Sequence, residues 1–94
     1  MKIVFLDRET ISPRTHVRRP AFDHEWVEYP RTGPAEAAER LRDADVAIVN
    51  KVRLTADVLA QAPRLRLIAV AATGTDNIDL AACQARGIVV STIR

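Results

Sequence analysis

Four short apolar runs, uninterrupted by polar residues, recur along the chain: Ile3-Val4-Phe5-Leu6, Val46-Ala47-Ile48-Val49, Leu67-Ile68-Ala69-Val70-Ala71 and Ile88-Val89-Val90. A strand with one wet face alternates polar and apolar residues. A continuous β-branched run belongs to a strand covered on both faces, as in a parallel sheet. A fifth segment, Trp26-Val27-Glu28-Tyr29, mixes the two classes and suits an edge strand.

Helical patterns separate the later runs. One is predicted from Pro34 to Asp43, with Thr32 or Gly33 as its cap and Ala37, Ala38, Leu41 and Ala44 as its apolar stripe. Glu36 and Arg40 stand four apart in the favourable order. A second helix opens at Thr55, carries Asp57 in its first turn, buries Val58, Leu59 and Ala62, and ends at Pro63. A third opens after Asp79 and stops at Gly87, a residue suited to the left-handed conformation that ends helices, with Arg86 matching the dipole in its last turn. Asp7 to Glu25, with Pro13 and Pro20 and no helical period, is predicted as a long irregular connection. Strands alternating with helices imply right-handed crossovers and an α/β fold. The expected architecture is a flavodoxin-like, doubly wound parallel sheet of about five short strands.

With 94 residues, 48% hydrophobic and 28% charged, the chain has room for one domain and too much apolar content for disorder. A chain of this size buries roughly 60–65% of its unfolded surface, so the fold is expected to be marginal and to lean on a partner. The net charge is +2, and the one local basic cluster, Arg14, Arg18 and Arg19, has no aromatic stacking platform beside it. No nucleic-acid partner is expected. The single cysteine, Cys83, excludes an internal disulfide. The first apolar run stops at Asp7, too short for a secretory signal or a membrane span. No membrane is implied, and the chain is read as cytoplasmic.

Several chemistries are excluded. The only glycines are Gly33, Gly74 and Gly87, so neither G-x-G-x-x-G nor the phosphate loop can be written, and this chain has no cofactor-binding residues of those kinds. His24-Glu25 opens like H-E-x-x-H, but no second histidine follows. His16 and His24 read as loop or surface residues, and no metal site is expected. Neither Ser12 nor Ser91 lies in a nucleophile elbow. A response-regulator receiver is disfavoured, because Asn50 or Thr73 would stand where an acceptor aspartate is needed, although Asp7 and Glu9 do follow the first strand.

What remains sits beyond the strands, where open α/β sheets bind ligands. The third long run leads into Ala71-Ala72-Thr73-Gly74-Thr75-Asp76-Asn77-Ile78-Asp79. Its turn can form an anion-binding concavity of backbone N–H groups. It can equally be a plain turn, with Asp76 and Asn77 bonded to local backbone and Asp79 as a helix cap. Lys51, after the second long run, is either a cation facing the same crevice or a solvated loop charge.

These edges carry a resemblance. Ala44 to Val52, Ala62 to Ile68, Ala71 to Asp79 and Ala85 to Val90 together resemble, in collinear order, the N-terminal part of the D-isomer-specific 2-hydroxyacid dehydrogenases. The run G-T-D-N-I-D followed by R-G-I-V-V is the most specific piece. Thr92 departs from the asparagine common in the family. The resemblance implies an oxidoreductase that moves a hydride between NADH or NADPH and a small 2-keto or D-2-hydroxy acid of the glycerate/hydroxypyruvate type. It implies that residues 1–94 are the N-terminal part of the substrate-binding domain, itself incomplete. It implies substrate-binding roles for Lys51, Ala72, Thr73, Gly74 and Thr75. The Rossmann domain, its NAD or NADP site and the catalytic Arg, Glu and His would lie outside this chain, so no catalytic residue is assigned within it. The chain alone is expected to be inactive and to self-associate through exposed apolar surface. The alternative is a non-enzymatic flavodoxin-like binding or interaction module.

Overall fold

The computed structural model describes residues 1–8, 23–71 and 77–92. Its elements run β1 (Lys2–Phe5), β2 (Glu25–Glu28), α1 (Pro34–Leu41), β3 (Val46–Val49), α2 (Ala56–Ala60), β4 (Leu67–Val70), α3 (Leu80–Arg86) and β5 (Val89–Thr92). The strands form one five-stranded sheet in the order β2-β1-β3-β4-β5, every neighbouring pair parallel. That is the flavodoxin-like order. The mixed segment is an edge strand, β2, and the continuous runs supply the three central strands. The irregular connection expected after Asp7 falls largely on residues outside the described ones.

Register places the row Val27–Val4–Ala47–Ile68–Val90 on one face of the sheet. The crossovers β2→β3, β3→β4 and β4→β5 all run in one direction across the sheet. With a common right hand they must put their helices on the same side. Accordingly Ala37 and Leu41 of α1, Val58 and Leu59 of α2 and Cys83 of α3 join Val4, Leu6, Ala47, Val49, Ile68 and Val70 in one buried cluster. The opposite face carries the row Trp26–Ile3–Val46–Leu67–Val89. There exposure climbs along the row, from 3% at Ile3 and 8% at Val46 to 60% at Val89. No described helix covers that face.

Local chemistry explains the helix ends. Gly33, not Thr32, is the N-cap of α1; its N–H donates to Glu36 Oε1 at 2.9 Å. The Thr32 hydroxyl instead donates to the Leu6 carbonyl at 2.5 Å and accepts from Arg40 at 2.7 Å, joining α1 to the end of β1. Arg40 also pairs with Glu36 at 2.9 Å and lies 3.9 Å from the centre of the Tyr29 ring. The α1 helix ends at Leu41, two residues early, because Ala44 N–H turns back to the Leu41 carbonyl at 3.1 Å. Thr55 and Asp79 cap α2 and α3 with their side chains. At the end of α3 the Ile88 N–H reaches the Cys83 carbonyl at 2.9 Å and Gly87 N–H reaches Gln84 at 3.2 Å, a Schellman arrangement. Arg86 does more than match its own dipole. Its guanidinium donates to the Leu59 carbonyl and, at 2.9 Å, to the Ala62 carbonyl, satisfying the end of the neighbouring helix α2.

Gly87 has φ +71°, and a Cβ built there meets nothing within 4 Å. Gly87→Ala should therefore destabilise the fold through backbone strain alone, by about 1–2 kcal/mol. Urea unfolding monitored by circular dichroism measures this, with the slope of the transition expected to stay constant.

Candidate functional site

A doubly wound sheet opens a crevice where its winding reverses, here between the carboxyl ends of β1 and β3. Asp7 stands just beyond β1 and is 2% exposed. Its carboxylate accepts hydrogen bonds from three consecutive backbone N–H groups of the loop after β3: Asn50 at 2.8 Å, Lys51 at 2.6 Å and Val52 at 3.3 Å. In the sequence Asp7 reads as the end of an apolar run and as an acidic residue closing the first strand, and its role as an acceptor for the loop after β3 goes unseen. Its one signal there is a carboxylate at the end of a strand that has to be central.

The same loop is held from the other side. The Asn77 side-chain amide donates to the carbonyls of Asn50 at 3.3 Å and Val52 at 2.8 Å. Leu54 N–H donates to the Asn77 carbonyl at 2.8 Å, and Asp79 N–H to the Leu54 carbonyl at 3.0 Å, forming a parallel bridge between Leu54 and Ile78. Among the described residues the Asn77 amide reaches across 25 and 27 residues to the other loop, a long-range role that the plain-turn reading did not include. Asp79 caps α3 as expected, accepting from Ala82 N–H at 3.0 Å.

Lys51 is exposed on this edge, with its backbone N–H turned to Asp7. Of the other residues expected at the site, Ala72, Thr73, Gly74 and Thr75 lie outside the described ones. The residues that flank them are anchored beside Lys51. Ala71 N–H donates to the Val49 carbonyl at 2.7 Å, and Asn77 holds residues 50 and 52. One cation and the two ends of the 72–76 segment thus share the carboxyl edge of β3 and β4.

A concavity of about 420 Å³ lies at the opposite edge, lined by Met1, Lys2, His24, Glu25 and Asp45 among others. Several of its charges are paired. Lys2 Nζ meets Asp43 at 2.9 Å, Lys2 N–H meets Asp45 at 2.8 Å, and Arg64 lies 3.8 Å from Asp45. The hydrogen bond between Lys2 and Asp43 raises the lysine pKa and lowers the aspartate's. What this exposed pair contributes is present above the usual carboxylate pKa, fades as acid protonates Asp43, and is screened by solvent. Burial pushes the Cys83 thiol up, so it is a packing residue rather than a nucleophile. Among the described residues no group of three His, Cys, Asp or Glu side chains could hold a metal ion, and no helix is long and apolar enough to cross a membrane. His24 meets Trp26 edge to face at 6.0 Å, and His16 lies outside the described residues.

Residues 5–94 match the family model of the D-isomer specific 2-hydroxyacid dehydrogenase catalytic domain. The chain belongs to this family. It is 53% identical over 94 residues to glycerate dehydrogenase of Methylorubrum extorquens, covering 99% of this chain and 29% of that protein. It is 30% identical over 105 aligned positions to hydroxypyruvate reductase of Blautia hydrogenotrophica, covering 99% of this chain and 30% of that one. The fold superposes on NAD+-bound 3-phosphoglycerate dehydrogenase of Entamoeba histolytica with TM-score 0.76 at 26% identity, over 98% of this chain and 32% of that chain. NAD-dependent formate dehydrogenase of Staphylococcus aureus, solved with NAD, gives TM-score 0.74 at 25% identity, over 100% and 31%. The chain thus spans about 30% of the length of these two curated relatives.

Asn77→Ala removes a half-buried amide that ties the loops and should cost about 1–2 kcal/mol. Amide exchange at Leu54 and Asp79 should accelerate beyond the change in global stability.

Proposed function

We propose that this chain forms one wall of the substrate crevice of an oxidoreductase that transfers a hydride between NAD(P)H and a small 2-keto or D-2-hydroxy acid of the glycerate/hydroxypyruvate type. In this reading residues 1–94 are the N-terminal part of the substrate-binding domain. The similarity to glycerate dehydrogenase and hydroxypyruvate reductase supports the substrate class. The observation that carries the reading is Lys51, an exposed cation on a loop fixed against the anchors of residues 72–76. A small carboxylate suits that pairing. The Lys51 ammonium supplies a charge-assisted contact, and the backbone N–H groups of Ala72, Thr73, Gly74 and Thr75 supply directional donors.

A nicotinamide dinucleotide does not fit this chain's own edge. Nucleotide sites of doubly wound sheets offer a glycine-rich turn and free N–H groups to a pyrophosphate beyond the first strand. Here Asp7 stands at that position, and its carboxylate already holds the N–H groups of residues 50–52. A second negative group would be repelled. In this reading, as family membership implies, the cofactor and the hydride-transfer residues belong to a separate Rossmann domain. This chain's part is to bind and orient the acid, which converts an encounter into a positioned reactant.

Titration of the 15N-labelled chain with D-glycerate tests this. Saturable shifts are expected at Lys51, Ala71 and Asn77, and Lys51→Ala should weaken binding roughly tenfold, the loss of one charged hydrogen bond. D-glycerate that moves none of these resonances removes the site. The apolar row ending at Val89, which is 60% exposed, favours self-association of the isolated chain. Sedimentation should show species larger than the monomer, and a Val89→Lys substitution should reduce them.

A further inference from the structure

The crevice at the β1/β3 reversal is occupied by the protein's own anion. Three successive N–H groups converging on one oxygen-bearing group make an anion-binding nest, the arrangement that elsewhere receives phosphate or carboxylate ligands. In this molecule the N–H groups of Asn50, Lys51 and Val52 converge on the carboxylate of Asp7, buried beneath the loop. On the other side Asn77 takes up the carbonyls of Asn50 and Val52. The three N–H groups of residues 50–52 and the carbonyls of Asn50 and Val52 therefore face inward, to the residue just beyond β1 and to the segment before α3. Of residues 50–52, the one that is exposed is Lys51.

We propose that Asp7 is a positioning residue for Lys51. As an internal ligand it fills the nest of residues 50–52, denies those amides to an external anion, and fixes the backbone from which the Lys51 ammonium meets a substrate carboxylate. The inference rests on the reading of Lys51 given under Proposed function and adds to it a residue that never touches substrate. Asp7 acts through geometry, so its removal should look like the removal of Lys51 rather than add to it. A neutral isostere cannot substitute. In Asp7→Asn the new side-chain amide would turn its own N–H2 toward backbone donors and leave at least one of them unbonded.

Amide exchange on the unmutated chain comes first and needs no ligand. The Lys51 and Asn50 amides should exchange at least about tenfold more slowly than an open loop. Exchange at the open-loop rate overturns the clamp. In Asp7→Ala that protection should vanish, and sodium formate, a free carboxylate small enough for the vacated nest, should restore it. No restoration in a variant that stays folded overturns the nest.

The functional arm is a double-substitution cycle read as D-glycerate affinity. Asp7→Asn and Lys51→Ala should each weaken binding by a similar factor, and the double variant no further than either. Losses that multiply overturn positioning, because they mean independent roles. Should the unmutated chain not bind D-glycerate, the functional reading and the positioning of Lys51 fall together. Exchange protection of residues 50–52 would then still decide whether Asp7 fills the nest.

Discussion

A parallel sheet cannot leave its helix-bearing face wet, and the rest of this structure follows from covering that face. Val4, Ala47 and Ile68 share one register row, and Leu41, Leu59 and Cys83 come down on it from three successive helices. Each fully buried side chain of the size of Leu or Ile contributes roughly 1.5–3 kcal/mol. That burial sets the direction of every described crossover. It thereby decides which end of the sheet carries the loops after β3 and β4. Those loops are neighbours because the strands beneath them are neighbours.

Where the apolar layer ends, polar groups take over the cohesion. Asp7, Asn77 and Asp79 lie just past the strands or at a helix start, and each satisfies backbone groups that no ladder or helix serves. Arg86 likewise bridges to carbonyls at and just past the end of α2, those of Leu59 and Ala62. These contacts bridge segments far apart in sequence. They make the carboxyl edge a single body rather than two independent loops, and a binding edge needs that rigidity if one lysine is to meet a small acid in a constant geometry. The opposite edge is also bonded, but there Lys2, Asp43, Asp45 and Arg64 cancel one another's charge.

The two faces of the sheet differ in a way that matters for assembly. The helix-bearing face is closed along its length. The other is buried around Ile3 and Phe5 and open toward β5, where Val89 is exposed. The relatives are about three times longer than this chain. A domain whose second face is half open is consistent with the marginal size inferred from composition.

The linear order of residues determined the strands, the helix caps, the left-handed Gly87 and the parallel class of fold. Those rest on local rules: continuous β-branched runs, a capping side chain, a residue without Cβ. It also brought Lys51 forward as a candidate cation and identified the family through the run from Gly74 to Asp79. Only the tertiary structure decided that α1 stops at Leu41, that Asn77 reaches across to residues 50 and 52, and that Asp7 accepts the amides of the loop after β3. The contacts of Asn77 and Asp7 pair groups separated by tens of residues. No local pattern encodes such a pair, because a buried carboxylate finds its donors only after strand order has brought them within about three ångströms.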